Sequence, residues 1–235
     1  MRTIGLLGGM SWHSTALYYS RINRRCNERM GGLHSASMLL RSLDFAAVER
    51  LQSAGDWEGA GALLNSEALA LERGGAELLV LATNTMHKVA DRMMQGVGIP
   101  MLHVGDATAQ AIRAAGLERP ALIATAYTME QRFYTDRLRA AGLSPVLPSQ
   151  TDRCLIHGII YDELCQGRVR EESRAAYEGI AAQLEREGGA DCLILGCTEV
   201  GMLLDETNVG VPVFDTTLIH CDRALDLALS PVEAL

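Results

Sequence analysis

The chain has 235 residues, 48% of them apolar, and carries a formal net charge of −8. That length can bury a sizeable core and suits one large domain or two compact ones. Such acidity argues against a broad electrostatic grip on nucleic acid. No apolar run reaches the roughly 20 residues that span a bilayer, so a soluble, cytoplasmic protein acting on a small ligand is expected.

Met1-Arg2-Thr3-Ile4-Gly5 runs straight into an apolar segment and shows no signal-peptide cleavage pattern. The six cysteines (Cys26, Cys154, Cys165, Cys192, Cys197, Cys221) form no CxxC pair, which leaves neither a zinc ribbon nor a thioredoxin-type motif and predicts reduced thiols. Lys88 is the only lysine, so Schiff-base chemistry with pyridoxal phosphate would rest on that single residue.

In chain order, short apolar runs alternate with longer stretches of helical period, the pattern of parallel sheets covered by helices. Strands are predicted at 3–7, 38–42, 77–81 and 101–104, then at 121–124, 145–147, 192–195 and 211–214. Helices are predicted at 13–30, 57–73, 107–115, 129–141, 171–187 and 218–229.

Two of these segments repeat one another. Gly74-Gly75-Ala76 leads through an apolar run to Thr83-Asn84-Thr85, and Gly188-Gly189-Ala190 leads through another to Cys197-Thr198-Glu199. Superposed, they place Thr83 on Cys197 at an offset of 197 − 83 = 114. Ile99-Pro100-Met101-Leu102 echoes Val211-Pro212-Val213-Phe214, and the 4–8 segment has a weaker counterpart at 121–125. Duplication of one α/β unit explains all three pairs; general likeness among buried strands is the plainer alternative. Because parallel strands aim their carboxyl ends at the ligand crevice, duplicated sheets related by a pseudo-twofold would turn Thr83 and Cys197 toward each other.

Cys197 follows a predicted buried strand at a possible helix start, where amides and the helix dipole would favour its thiolate; it is the best candidate base, or else a small core residue. The hydroxyls, amide and N–H groups of Thr83, Asn84 and Thr85 suit a carboxylate or a developing enolate, a role compatible with capping the next helix. Glu199 either orients Thr198, meets a substrate ammonium or favours a helix start. His87 and Lys88 are expected at the surface. Gly5-Leu6-Leu7-Gly8-Gly9-Met10-Ser11 lacks both dinucleotide and P-loop spacing, yet the amides of Met10 and Ser11 can touch a small anion.

These residues resemble the aspartate/glutamate racemase family, through Gly5 to Trp12, Gly32-Leu33-His34-Ser35-Ala36, Thr83-Asn84-Thr85-Met86-His87-Lys88, Tyr127-Thr128-Met129 and Gly196-Cys197-Thr198-Glu199. The resemblance implies two similar α/β lobes, each a parallel four-stranded sheet flanked by helices, with the active site in the cleft between them. The lobes are expected at 1–98 plus 209–235 and at 99–208. It further implies no metal, no pyridoxal phosphate or other cofactor, and a homodimer. Most such racemases carry cysteine at both acid/base positions, whereas here the first is Thr83. Cys165 stands where some aspartate racemases carry a lysine. The resemblance places Arg50 at a carboxylate-binding position and Thr128 at a ligand-touching one, with Gln52 nearby on an expected cleft loop.

On this reading Cys197 removes the α-proton of aspartate or glutamate and Thr83 delivers one to the opposite face, while Met10, Arg50, Gln52, Asn84, Thr85, Thr128, Thr198 and Glu199 hold the substrate. One enantiomer is the preferred substrate. A single-cysteine decarboxylase or maleate-type isomerase, or a non-catalytic binder of acidic metabolites, are the alternatives.

Overall fold

The computed structural model describes residues 1–230, and its chain divides into two units, Met1–His103 with the segment from His220, and Val104–Ile219. In order, the elements of the first are β1 (Ile4–Gly8), α1 (Trp12–Met30), β2 (Met38–Ser42), α2 (Phe45–Ser53), α3 (Trp57–Arg73), β3 (Leu78–Leu81), α4 (Ala90–Met93) and β4 (Met101–Leu102). Then come α5 (Val104–Ala114), β5 (Pro120–Ile123), α6 (Ala126–Glu130), α7 (Arg132–Ala140), α8 (Gln150–Asp162), α9 (Glu171–Arg186), β6 (Cys192–Leu195), β7 (Val213–Asp215) and α10 (Thr216–Leu229). Short 3₁₀ turns occur at Thr85–Val89, Leu164–Gln166 and Val200–Met202. No helix among the described residues is long and apolar enough to cross a membrane.

The first unit is built on a parallel sheet in the order β2-β1-β3-β4. β1 and β3 are buried along their whole length, as central strands covered on both faces must be. Helix α1 starts at Ser11, whose Oγ accepts from the Ser14 amide, and turns Tyr18, Ile22 and Cys26 inward at four-residue spacing. Arg21 forks onto Asp222 of α10 at 2.9 and 2.8 Å, and Arg29 meets Asp226 at 2.5 Å.

Beneath these surface pairs lies a polar knot. The Leu102 carbonyl can only accept, so the 3.0 Å contact to His220 Nε2 fixes the proton on that nitrogen, and neutral Nδ1 then accepts from the Tyr18 hydroxyl at 2.8 Å. The His220 ring lies 5.7 Å from that of His87, which in turn stands 4.4 Å from His103.

The second unit has a parallel sheet in the order β5-β6-β7, three strands where four were expected. The predicted 145–147 strand reduces to one parallel bridge between Val146 and Ala121. Its flanks are Pro145, which has no N–H to donate, and Pro148, which disfavours continued regular pairing. The units also exchange at 103/104 and 219/220 instead of the expected 98/99 and 208/209, because β4 pairs with β3 and β7 with β6.

Four helices were not anticipated: α2, α4, α6 and α8. Asp44 caps α2, and Ser149 caps α8, accepting from the Asp152 amide at 3.2 Å.

His220 is fully buried, and burial lowers its pKa from 6.5 to about 4. A depressed histidine leaves the folded state short of a proton that the unfolded chain binds, so its contribution is complete above pH 6.5 and is lost as pH falls toward 4. Urea unfolding should show this group removing about 2 kcal/mol between roughly pH 7.5 and pH 5, and His220→Gln should flatten that part of the slope.

Candidate active site

A polar side chain has no partner inside a doubly covered strand, so chemistry gathers where each strand stops. In the first unit, adjacent strands β1 and β3 end together, with the Ala82 amide still bonded to the Leu7 carbonyl at 2.8 Å. Beyond β1 the chain turns at Gly9, whose φ of +92° and closeness to the Leu43 backbone exclude a side chain. Thr15 Oγ1 braces that turn, accepting from the Gly9 amide at 2.7 Å and donating to the Ser11 carbonyl at 2.9 Å. Met10 is thereby buried in a cluster that also holds Val48 and Met86.

Thr83 stands two residues past the end of β3 and is partly exposed, whereas Asn84 and Thr85 are buried. Asn84 occupies the N-cap position of the 3₁₀ turn, but its side chain makes no capping bond there. Arg50 and Gln52 lie on the last turns of α2, not on a loop; Arg50 is exposed and Gln52 buried.

His87 and Lys88 depart from the surface positions expected of them. His87 is buried, and its Nδ1 must carry a proton to donate to the Thr83 carbonyl at 2.7 Å. This ties the polar turn to the histidine knot, a role that no spacing in the sequence signals. Lys88 is half-buried with its ammonium 3.6 Å above the Trp57 ring, and burial lowers its pKa.

In the second unit, β5 and β6 end side by side in the same manner, with the Gly196 amide bonded to the Ile123 carbonyl at 2.8 Å. A methyl group on Gly196 would come within 2.8 Å of Ala124 Cβ, so the close approach of the two strand ends requires glycine. Cys197 follows, again two residues past its strand. Thr128 is fully buried in α6 beside the β5 end, its hydroxyl 3.2 Å from that of Thr125.

The thiol of Cys197 donates to Glu199 Oε2 at 2.9 Å, and Thr198 Oγ1 donates to the same oxygen at 2.5 Å. The Glu199 amide hydrogen-bonds back to the sulfur. Cys165, in the turn at Leu164–Gln166, packs against the same core.

These surroundings reverse the electrostatic expectation for Cys197. Burial first, and then the Glu199 charge, raise its pKa well above 9, while the Glu199 amide opposes them. The anticipated helix start is only the turn at Val200–Met202, too short for a substantial dipole. Burial likewise pushes Cys165 up to about 12, with the Glu199 charge adding to it. Among the described residues, no group of three or more His, Cys, Asp or Glu side chains is arranged to hold a metal ion.

Iodoacetamide labelling followed by peptide mass mapping is expected to give Cys197 a midpoint above pH 9. Exposed Cys154 should react first.

Comparison with known proteins shows the fold and the family. A Yersinia pestis structure, provisionally named an Asp/Glu racemase, is similar at 47% identity and a TM-score of 0.93, covering 98% of this chain and all of that one. An aspartate racemase homologue from Pyrococcus horikoshii is 33% identical with a TM-score of 0.85, over 98% of this chain and 100% of its own. The broad specificity amino-acid racemase RacX of Bacillus subtilis is 21% identical over 219 residues, 91% of this chain and 92% of its own length. The family model for Asp/Glu/hydantoin racemases matches residues 7–224, and the chain belongs to that family of isomerases.

Proposed function

We propose that the protein racemises aspartate or glutamate without a cofactor, by proton transfer between Cys197 on one face of the α-carbon and Thr83 on the other. The observation that carries this reading is the equivalence of the two side chains: each stands two residues beyond a central buried strand, followed by a short polar segment and a 3₁₀ turn. The aspartate racemase homologue from Pyrococcus horikoshii supports acidic amino acids as the substrate class.

The Cys197 sulfur takes the α-proton, and the Thr83 hydroxyl supplies one to the opposite face. Asn84, Thr85 and Thr198 offer donors to the substrate carboxylate as it gains enolate character, with Met10, Arg50, Gln52, Thr128 and Glu199 completing the binding groups. A threonine hydroxyl readily protonates a carbanion but is a weak base near neutrality, so one enantiomer is the better substrate. Racemisation has an equilibrium constant of one, which requires equal kcat/KM in both directions. The preference therefore appears as compensating changes in kcat and KM.

Incubation with each acidic amino acid in D₂O, with chiral analysis, tests the reading. Deuterium should enter the α-position without release of CO₂, Cys197→Ser should slow exchange by about 100-fold or more, and Thr83→Cys should make the two directions more alike. Exchange at the wild-type rate in Cys197→Ser would overturn the assignment.

A homodimer in the cytoplasm is part of the same proposal. The dimer, not the compartment, is supported by exposed Trp12, Tyr19 and Leu40, which line one hollow between α1 and the edge strand β2. Light scattering should give twice the chain's 25.4 kDa, and Trp12→Arg should shift the population toward monomer.

A further inference from the structure

Glu199 meets its neighbour Thr198, one of the roles expected of it, and its carboxylate also lies on the sulfur that would do the chemistry. Oε2 accepts from both the Cys197 thiol, at 2.9 Å, and the Thr198 hydroxyl, at 2.5 Å. Only 9% of Glu199 is exposed, and its own amide bonds the same sulfur. One residue thus offers an acceptor for the thiol proton and a donor to the sulfur once that proton has gone.

We propose that Glu199 is the proton acceptor that converts the Cys197 thiol into the base, a role that rests on the racemase reading above and deepens it. If the thiol lost its proton to water, two negative charges would stand 2.9 Å apart in a part-buried site. Passing the proton to Glu199 leaves a single charge in the pair, moved from oxygen to sulfur. The S–H bond breaks as the carboxyl O–H forms, and the Glu199 amide then holds the thiolate. The Thr198 hydroxyl keeps Oε2 aimed at the sulfur.

The sulfur next takes the α-proton of the substrate, whose carbanion is protonated by Thr83. This leaves Cys197 and Glu199 protonated and Thr83 as an alkoxide. Water returns a proton to Thr83, and the Glu199 carboxyl releases one, which restores the starting state. Other titratable groups act around the pair: Cys165 raises the Cys197 pKa, Cys197 raises that of Tyr177, and Glu163 acts on Tyr177 as well.

The test measures two quantities on the full chain in wild type, Glu199→Gln and Glu199→Asp. One is the pH profile of Cys197 alkylation by iodoacetamide, read by peptide mapping. The other is α-hydrogen exchange of aspartate and glutamate in D₂O.

Removing the charge in Glu199→Gln should raise the thiolate fraction, so that alkylation at about pH 8 is at least tenfold faster. At about pH 6 the thiol of this variant is protonated and has no internal acceptor, so exchange there should slow by about 100-fold. Glu199→Asp should recover part of the exchange lost in Glu199→Gln.

Alkylation at about pH 8 that is not faster in Glu199→Gln overturns the proposal, as does exchange at about pH 6 that is unchanged or faster. Equal loss of exchange in the Gln and Asp variants with wild-type alkylation profiles marks a space-filling role and overturns it too. Wild-type protein that exchanges neither amino acid sinks the racemase reading together with this step, whereas exchange in wild type with an unaffected Glu199→Gln sinks this step alone.

Discussion

A strand covered on both faces has no place for a polar side chain until it ends, and the arrangement of this protein follows from that constraint. β1, β3, β5 and β6 are apolar and buried throughout. Polarity therefore begins abruptly, at Met10-Ser11, Thr83-Asn84-Thr85, Thr125 and Cys197-Thr198-Glu199, all past the carboxyl ends of paired neighbours. Parallel pairing keeps those ends level, and the Ala82 to Leu7 and Gly196 to Ile123 hydrogen bonds extend the alignment beyond the last paired residues. Each unit collects its candidate groups on one sheet edge by backbone geometry alone.

The two edges differ in how they hold their polar turns. That of Thr83 is fastened from below, through His87 to the buried rings of His103 and His220, so its carbonyl is satisfied by a side chain with no contact to solvent. That of Cys197 is held locally: the thiol, the Thr198 hydroxyl and the Glu199 carboxylate and amide interact within three residues. Such a set favours the protonated sulfur at rest, which is the form least exposed to oxidation.

The α/β class, the parallel strands and the polar strand ends were legible in the sequence because each has a short-range signature: apolar runs of four or five, helical periodicity and a polar cluster directly after a strand. Periodicity predicts one strand too many in the second sheet, since 145–147 is apolar but opens on Pro145 and is followed by Pro148. Helix α8 was overlooked because Gly158 and several β-branched residues lower its propensity, although Ser149 with Asp152 three residues later is a capping signal. The burial of His87 and the raised pKa of Cys197 were not legible for a different reason. Both depend on partners that meet only after folding: rings from 16 and 133 positions away in one case, and a carboxylate that turns back on its own strand end in the other.

The single bridge at Val146 has a wider consequence. It occupies the outer edge of β5, giving its carbonyl to the Leu122 amide and taking the Pro120 carbonyl on its own amide. Pro145 and Pro148 close the margin on either side of it with residues that cannot donate to a passing chain. An incoming β-segment would find no continuous ladder to extend, so this short, interrupted border guards the unit against intermolecular sheet growth and fibril seeding.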